Sequence, residues 1–244
     1  MKKASVGIIT QARFGSSRLP GKILKQAKNR PLLDYHLQRL KNTNLPVIVA
    51  TTEEPEAEPI TNICQHNSVP YFKGSLENVL QRFYQTAQQY PLEHIIRVTS
   101  DCPLIDSDLI CQGVDYYFSN KSQPLYVGID VEKSYARGVD FEIFSFETLE
   151  QSFHQAVSEY DKEHVTPYIY NNAKENNISI HNLSQNECHA HCYRLTLDTE
   201  NDLALIRVLI EEFSAEELSY EEIISLLKAH PELAAINAPQ LTSN

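Results

Sequence analysis

No stretch of this 244-residue chain is apolar for long enough to cross a bilayer, and its first residues carry no cleavable signal. The expected location is therefore the cytoplasm, with no membrane partner. Cysteines are few and odd in number, at 64, 102, 111, 188 and 192, which argues against a disulfide framework and for reduced thiols. Cys188-His189-Ala190-His191-Cys192 is the one cluster with metal-ligand chemistry, yet its spacing fits no familiar zinc pattern and no second ligand pair stands near it. There is no internal repeat and no low-complexity segment. Net charge is −11, and no basic stripe extends past the head of the chain, which disfavours nucleic acid as a partner. One more absence is local: no acidic residue precedes Asp34, while Lys2, Lys3, Arg13, Arg18, Lys22, Lys25, Lys28 and Arg30 all do.

That acid-free head holds the stretch Gln11-Ala12-Arg13-Phe14-Gly15-Ser16-Ser17-Arg18-Leu19-Pro20-Gly21-Lys22. It follows an apolar run at 6–10 that reads as a first strand, and it matches neither G-x-x-x-x-G-K-[ST] nor G-x-G-x-x-G. Glycine and proline there could simply turn the chain. Three cations on one short loop repel one another, however, unless they share an anion. A glycine-bearing loop after a first strand, with free backbone N–H groups and Arg or Lys beside them, suits phosphate oxygens.

With 42% hydrophobic residues, the chain has enough apolar surface for one large α/β domain spanning 1–244. Short apolar runs at 6–10, 46–51, 69–72 and 95–99 alternate with helix-period segments at 31–40, 57–67, after Ser75 and 107–119, the signature of βαβ units and a largely parallel sheet. Ser75 reads as the N-cap of its helix. The alternation lapses at 125–190, which reads as an inserted lobe with strands at 125–129, 139–144 and 178–183 and helices at 145–157 and 160–171. A strand at 192–197 then precedes helices beginning at 199 and at the capping-box pattern Ser219-x-x-Glu222. The polar tail after Pro239 is expected to fray.

Asp101 and Asp198 both stand at the carboxyl ends of expected strands, where open α/β sheets bind their ligands. Two carboxylates, with substrate phosphates completing the shell, are how Mg²⁺ is usually held. Either could instead be an ordinary helix cap, as could Asp106 in Asp106-Ser107-Asp108, a D-x-D that opens the helix at 107–119.

Residues 12–22 resemble the signature loop of the sugar-acid cytidylyltransferases. Ile95-Ile96-Arg97-Val98-Thr99-Ser100-Asp101-Cys102-Pro103 and Leu195-Thr196-Leu197-Asp198-Thr199-Glu200-Asn201-Asp202 resemble that family's two metal-bearing segments. Lys73-Gly74-Ser75-x-x-Asn78-Val79-Leu80-x-Arg82, Gly138-Val139-Asp140-Phe141-Glu142 and Glu163-His164-Val165-Thr166-Pro167 are similar to the branch typified by spore coat polysaccharide biosynthesis protein F. The resemblance implies a mixed, mostly parallel sheet of the nucleotide-diphospho-sugar transferase (GT-A, Rossmann-like) type, flanked by helices. It implies transfer of CMP from CTP to a sugar acid with release of pyrophosphate, Mg²⁺ as cofactor, and a homodimer formed through 125–190. Arg13, Lys22 and Asp101 would be catalytic. Gln11, Ala12, Gly15, Ser16, Ser17 and Arg18, with Thr51, Ser75, Asn78 and Arg82, would bind nucleotide. Asp101 and Asp198 would hold metal; Arg137, Asp140, Glu142 and His164 would meet the sugar. The chain departs from the keto-deoxyoctulosonate and sialic acid enzymes around that last group, so the resemblance does not name the sugar. Two rival readings are a glycosyltransferase of the same general fold, using the D-x-D, and a non-catalytic nucleotide-binding subunit.

Overall fold

Strand and helix alternate along the first half of the chain as the apolar runs and helix-period segments do. In a computed structural model, which describes residues 5–120, 124–129 and 134–238, β1 (Val6–Gln11) leads through the basic loop to a small hairpin, β2 (Gln26–Ala27) and β3 (Arg30–Pro31). Lys2, Lys3 and the tail after Pro239 lie outside the described residues. Helix α1 (Leu32–Lys41), β4 (Val47–Thr52), α2 (Glu58–His66), β5 (Tyr71–Gly74), α3 (Val79–Gln89), β6 (His94–Thr99) and α4 (Ser107–Ser119) follow. Then come β7 (Leu125–Gly128), β8 (Phe141–Ser145), α5 (Phe146–Gln155), α6 (Glu159–His164), α7 (Pro167–Asn171) and β9 (Ser179–Asn182). The chain closes with α8 (Glu200–Phe213), α9 (Tyr220–Ala229) and α10 (Pro231–Ala235).

Among the described residues, seven strands form one sheet in the order β5-β4-β1-β6-β8-β7-β9. Strand β8 runs antiparallel to both of its neighbours, and the other pairings are parallel. Side chains alternate across a strand, and both faces are covered, so the strands are apolar at successive positions. Ile8, Val49, Ile96 and Phe141 enter the core on one side, while Ile9, Ile48, Ile95 and Phe144 enter the core on the other. The chain moves from β1 outward to β4 and β5, then returns to lay β6 on the other side of β1. That reversal leaves a crevice at the carboxyl ends of β1 and β6, where the basic loop and Asp101 meet.

Several details differ from the sequence-based expectations. The 125–190 segment, read as an inserted lobe, shares the main sheet through β7, β8 and β9. Residues 192–197 form no strand. Leu195 N–H bonds Arg137 O at 2.6 Å and Leu197 N–H bonds Asp101 O at 2.8 Å, so this segment is divided between two neighbours and pairs fully with neither. The helix expected over 160–171 is two. Val165 separates them with φ 71° and ψ −54°, closed by a Thr166 N–H to His164 O bond of 2.8 Å, and Pro167 opens the second. This is a γ-turn of the rare, strained hand. Ser75 is not the cap of α3: Asn78 is, accepting from Gln81 N–H, while Ser75 Oγ accepts from Asn78 N–H. The β2–β3 hairpin, turned by Lys28 and Asn29 at φ 46° and 58°, had no sequence signal in either flank.

One charge pair interrupts the apolar face beneath α3. Arg97 and Glu142 stand directly opposite each other on β6 and β8, both buried, with Nη1 donating to Oε1 at 2.6 Å. Removing one partner of such a pair strands the other charge. Glu142→Ala is therefore expected to lower stability to urea by about 3–5 kcal/mol. The double change Arg97→Met with Glu142→Leu should recover most of that loss, because the uncompensated charge is gone.

Candidate active site

The basic loop leaves β1 with Ala12 N–H bonded to Ala50 O, and returns at Gly21, whose N–H reaches Phe14 O at 3.1 Å. Gly21 has φ +64°, and a side-chain carbon there would lie 3.2 Å from the Phe14 ring, so the return is built for glycine. Among the described residues, the backbone N–H groups of Gly15, Ser16 and Ser17 have no internal acceptor and remain available to an anion. Gln11, Ala12, Arg13, Gly15, Ser16, Ser17, Arg18, Lys22, Arg82, Asp101 and Asp198 line one hollow of about 170 Å³.

Lys22 is the hub of this hollow. Its Nζ donates to Asp101 Oδ2 at 2.6 Å and to Asp198 Oδ1 at 2.7 Å. Two carboxylates nearly a hundred residues apart thus converge on one cation. Burial disfavours the charged lysine, but the two carboxylates outweigh it and hold its pKa above the usual value. Asp101 is likewise held below the ordinary carboxylate range, where the Lys22 charge overcomes the cost of burial. Asp198 also takes Arg194 Nη2 at 2.6 Å and Arg18 Nη2 at 3.2 Å. Arg13 is turned outward to Glu163 at 3.0 Å, with both side chains near half exposed. Such an exposed pair stabilises little, so Arg13 is free to exchange Glu163 for a phosphate.

Arg82 comes from the first turn of α3 and is 1% exposed. One of its terminal nitrogens bonds Ser75 O, and its Nε has no partner among the described residues. Burial, reinforced by the Arg13 charge, pulls its pKa down to about 10. An anion in the hollow would relieve that cost. Thr51, Ser75 and Asn78, expected beside the nucleotide, do not line the hollow: Thr51 is buried at the end of β4, Asn78 caps α3, and Ser75 Oγ accepts from the Asn78 N–H.

A second, larger cavity of about 440 Å³ meets the first at Arg18, Thr99, Asp101 and Asp198. Arg137, Asp140, Glu142 and His164, the residues assigned to a sugar, all line it. Asp140 accepts from Gly138 N–H at 2.9 Å, and Gly138, at φ +108°, lets the 195–196 backbone approach to where a Cβ would lie 2.5 Å from it. Glu142 faces the cavity with its carboxylate already bonded to Arg97 and to Thr166 Oγ1, so its part is to hold Arg97 in the wall. Burial lowers the His164 pKa, and Arg97 and Arg13 lower it further against the opposing Glu163. Tyr160, beside His164 at a ring separation of 4.4 Å, stands exposed at the mouth.

Sequence reasoning missed Arg97, Arg194, Asp202 and Tyr160. The first two had a usable signal, a lone arginine inside an apolar run. Asp202 was visible as part of a helix start and not as a support for Asp198. Asp106 caps α4 through Leu109 N–H and binds Tyr220 N–H, and neither it nor Asp108 lines either cavity, so the D-x-D serves the fold. Among the described residues, no group of three His, Cys, Asp or Glu side chains could hold a metal by itself, the 188–192 cluster included. Asp101 and Asp198 do fit a hard divalent ion in donor chemistry, since both offer carboxylate oxygen to one point, provided further oxygens come from a substrate.

A basic phosphate-type loop after the first strand, joined to two strand-end carboxylates and opening on a second cavity, is the arrangement of a nucleotidyltransferase. The chain belongs to the cytidylyltransferase family, whose sequence model matches residues 7–229. It is similar to a cytidylyltransferase structure from Leptospira borgpetersenii, with 33% identity and a TM-score of 0.88 over 95% of this chain and 97% of that one. It is 29% identical to the spore coat polysaccharide biosynthesis protein SpsF of Bacillus subtilis over 93% of this chain and 95% of the relative. A CMP:2-keto-3-deoxy-manno-octonic acid synthetase complexed with CTP shares the fold, with a TM-score of 0.62 over 88% of this chain and all of that one at 16% identity.

The crevice also depends on His36, which is fully buried in α1. Its Nδ1–H donates to Cys102 O, which can only accept, so Nε2 is unprotonated and accepts from Thr10 Oγ1; both contacts are 2.8 Å. Burial pushes its pKa down from 6.5 to about 4. The unfolded chain therefore binds this proton before the folded one does. The contribution is fully present above about pH 6.5 and is lost as the pH falls through about 4, a change of roughly 3 kcal/mol. Urea unfolding at pH 7 and pH 4.5 should show this loss, and His36→Gln should flatten the slope by about 2 kcal/mol.

Proposed function

We propose that the protein activates a sugar acid by transferring CMP from CTP, releasing pyrophosphate, with Mg²⁺ held by Asp101 and Asp198. The observation that carries this reading is the pair of cavities that share those two carboxylates, one lined by the basic loop and the other by a mixed polar and aromatic wall. A triphosphate in the first places its α-phosphorus beside a sugar hydroxyl in the second. That oxygen attacks the α-phosphorus, its proton passes to solvent, and the bond to pyrophosphate breaks. Charge then builds on the α-phosphate and the leaving group, where Lys22, Arg13, Arg18 and Arg82 offset it together with the backbone N–H groups of 15–17. Mg²⁺ when bound would polarise the phosphate oxygens and fix their orientation. Arg137 is the residue we assign to the sugar carboxylate, with Asp140 and His164 facing its hydroxyls. The SpsF likeness supports a place in cell-surface or spore-coat polysaccharide synthesis, which we assign to the cytoplasm. We also assign a homodimer through 125–190, which light scattering showing a monomer would remove.

A pyrophosphate-release screen of four nucleoside triphosphates against octulosonic and nonulosonic acids tests the reaction. Release with CTP and a sugar acid alone is the expected result. Preference for another triphosphate would overturn the cytidine assignment, and nucleoside diphosphate released from a nucleotide-sugar would favour the glycosyltransferase reading. Asp101→Asn and Lys22→Ala should each lower turnover by at least about 10³ with the fold retained. Near-normal rates in either variant would remove the mechanism.

A further inference from the structure

Lys22 stands where a divalent ion would have to stand. Its Nζ lies 2.6 Å from Asp101 Oδ2 and 2.7 Å from Asp198 Oδ1, so those oxygens are at most about 5.3 Å apart and already share an ammonium. Mg²⁺ binds such oxygens at about 2.0–2.1 Å, and an ion bridging both would need them closer and the ammonium gone. The two cations exclude each other.

Each way of vacating the position alone is costly. A divalent ion arriving by itself must expel the ammonium into a hollow already lined by Arg13, Arg18 and Arg82, with no anion to receive it. A triphosphate arriving by itself can draw Lys22 away only by leaving two carboxylates facing phosphate oxygens. When both arrive, every charge keeps a partner: the carboxylates take the ion and the ammonium takes the phosphates. Lys22 is suited to such a move. It is a flexible four-carbon stem on the first residue of the short 3-10 turn Lys22–Leu24, next to Gly21.

We propose that Lys22 is a resident cation that blocks the divalent site in the nucleotide-free protein, so that metal ion and nucleoside triphosphate bind with strong positive linkage. By thermodynamic reciprocity each tightens the other by the same factor. The proposal rests on the nucleotidyl-transfer reading for the identity of the anion. Its central claim, that Lys22 competes with the ion, involves Asp101 and Asp198 alone.

The probe is Mn²⁺, with free ion counted by electron paramagnetic resonance in solutions of the full-length protein. Without nucleotide, the wild type should bind Mn²⁺ weakly. A non-hydrolysable CTP analogue should tighten that binding by about 30-fold. Lys22→Met should bind Mn²⁺ alone at least about tenfold more tightly than the wild type, and the boost from the analogue should shrink accordingly. Arg18→Met removes the same charge from beside one carboxylate only, and should change Mn²⁺ binding by less than about threefold. The inference is overturned if Lys22→Met binds Mn²⁺ alone no better than the wild type, or if Arg18→Met tightens binding equally, which would make the effect one of net charge. Because the analogue chelates Mn²⁺ by itself, its titration is read against the same analogue without protein, and absence of any tightening on the wild type also overturns the inference; Lys22→Gln repeats the nucleotide-free comparison should Lys22→Met fold poorly. Failure of the cytidylyl-transfer reading would appear in the pyrophosphate screen and leave the nucleotide-free Mn²⁺ comparison standing.

Discussion

Asp202, fully buried at the start of α8, fixes the half of the site that the sheet does not. Its Oδ2 accepts from Asp198 N–H and Thr199 N–H, and its Oδ1 accepts from Arg194 Nε and Asn237 Nδ2. Arg194 in turn reaches Asp198 Oδ2. Asp198 sits on a segment with no strand partner, yet its backbone and its side chain are both held by this one carboxylate and the arginine it anchors. Asp101 needs no such device, because β6 places it at a strand end. A buried carboxylate in this position carries several bonds at once, and its loss would release them all together.

The site is a set of charges that are matched before any ligand is present, with a few that are matched poorly. Arg97 with Glu142 and Arg194 with Asp202 are buried, short and structural. Arg13 with Glu163 and Arg18 with Asp198 have an exposed arginine and are easily exchanged. Arg82 lies between these groups, buried with an unpaired nitrogen and a depressed pKa. The deep pairs set the walls, and the loose ones supply the cations that a phosphate ligand can recruit.

Much of this was legible in the residues. Short apolar runs gave all seven strands of the main sheet their approximate places, since burial on both faces leaves a direct trace of Val, Ile and Leu at successive positions in the central strands. The acid-free head located the loop, and strand-end position located Asp101 and Asp198. What was illegible depended on partners distant in sequence. Residues 192–197 look like a strand because Leu195 and Leu197 are buried, but burial alone does not supply a pairing partner. The break at Val165 could not be read from a β-branched residue that rarely adopts φ above zero. The support of Asp198 by Asp202 and Asn237 needed three segments to meet, and no spacing rule announces that.

The loop's exposed arginines also have a consequence for encounter. The protein carries a net charge of −11, so most of its surface repels a polyanion, while Arg13 and Arg18 project from the acid-free, basic head of the chain. An approaching triphosphate is turned away elsewhere and drawn in at the loop, which makes capture directional before any contact is made. That guidance reaches about a Debye length, near 8 Å at physiological salt, so it weakens with ionic strength while the buried contacts beneath it do not. Arrival and retention are thus governed by different layers of the same site.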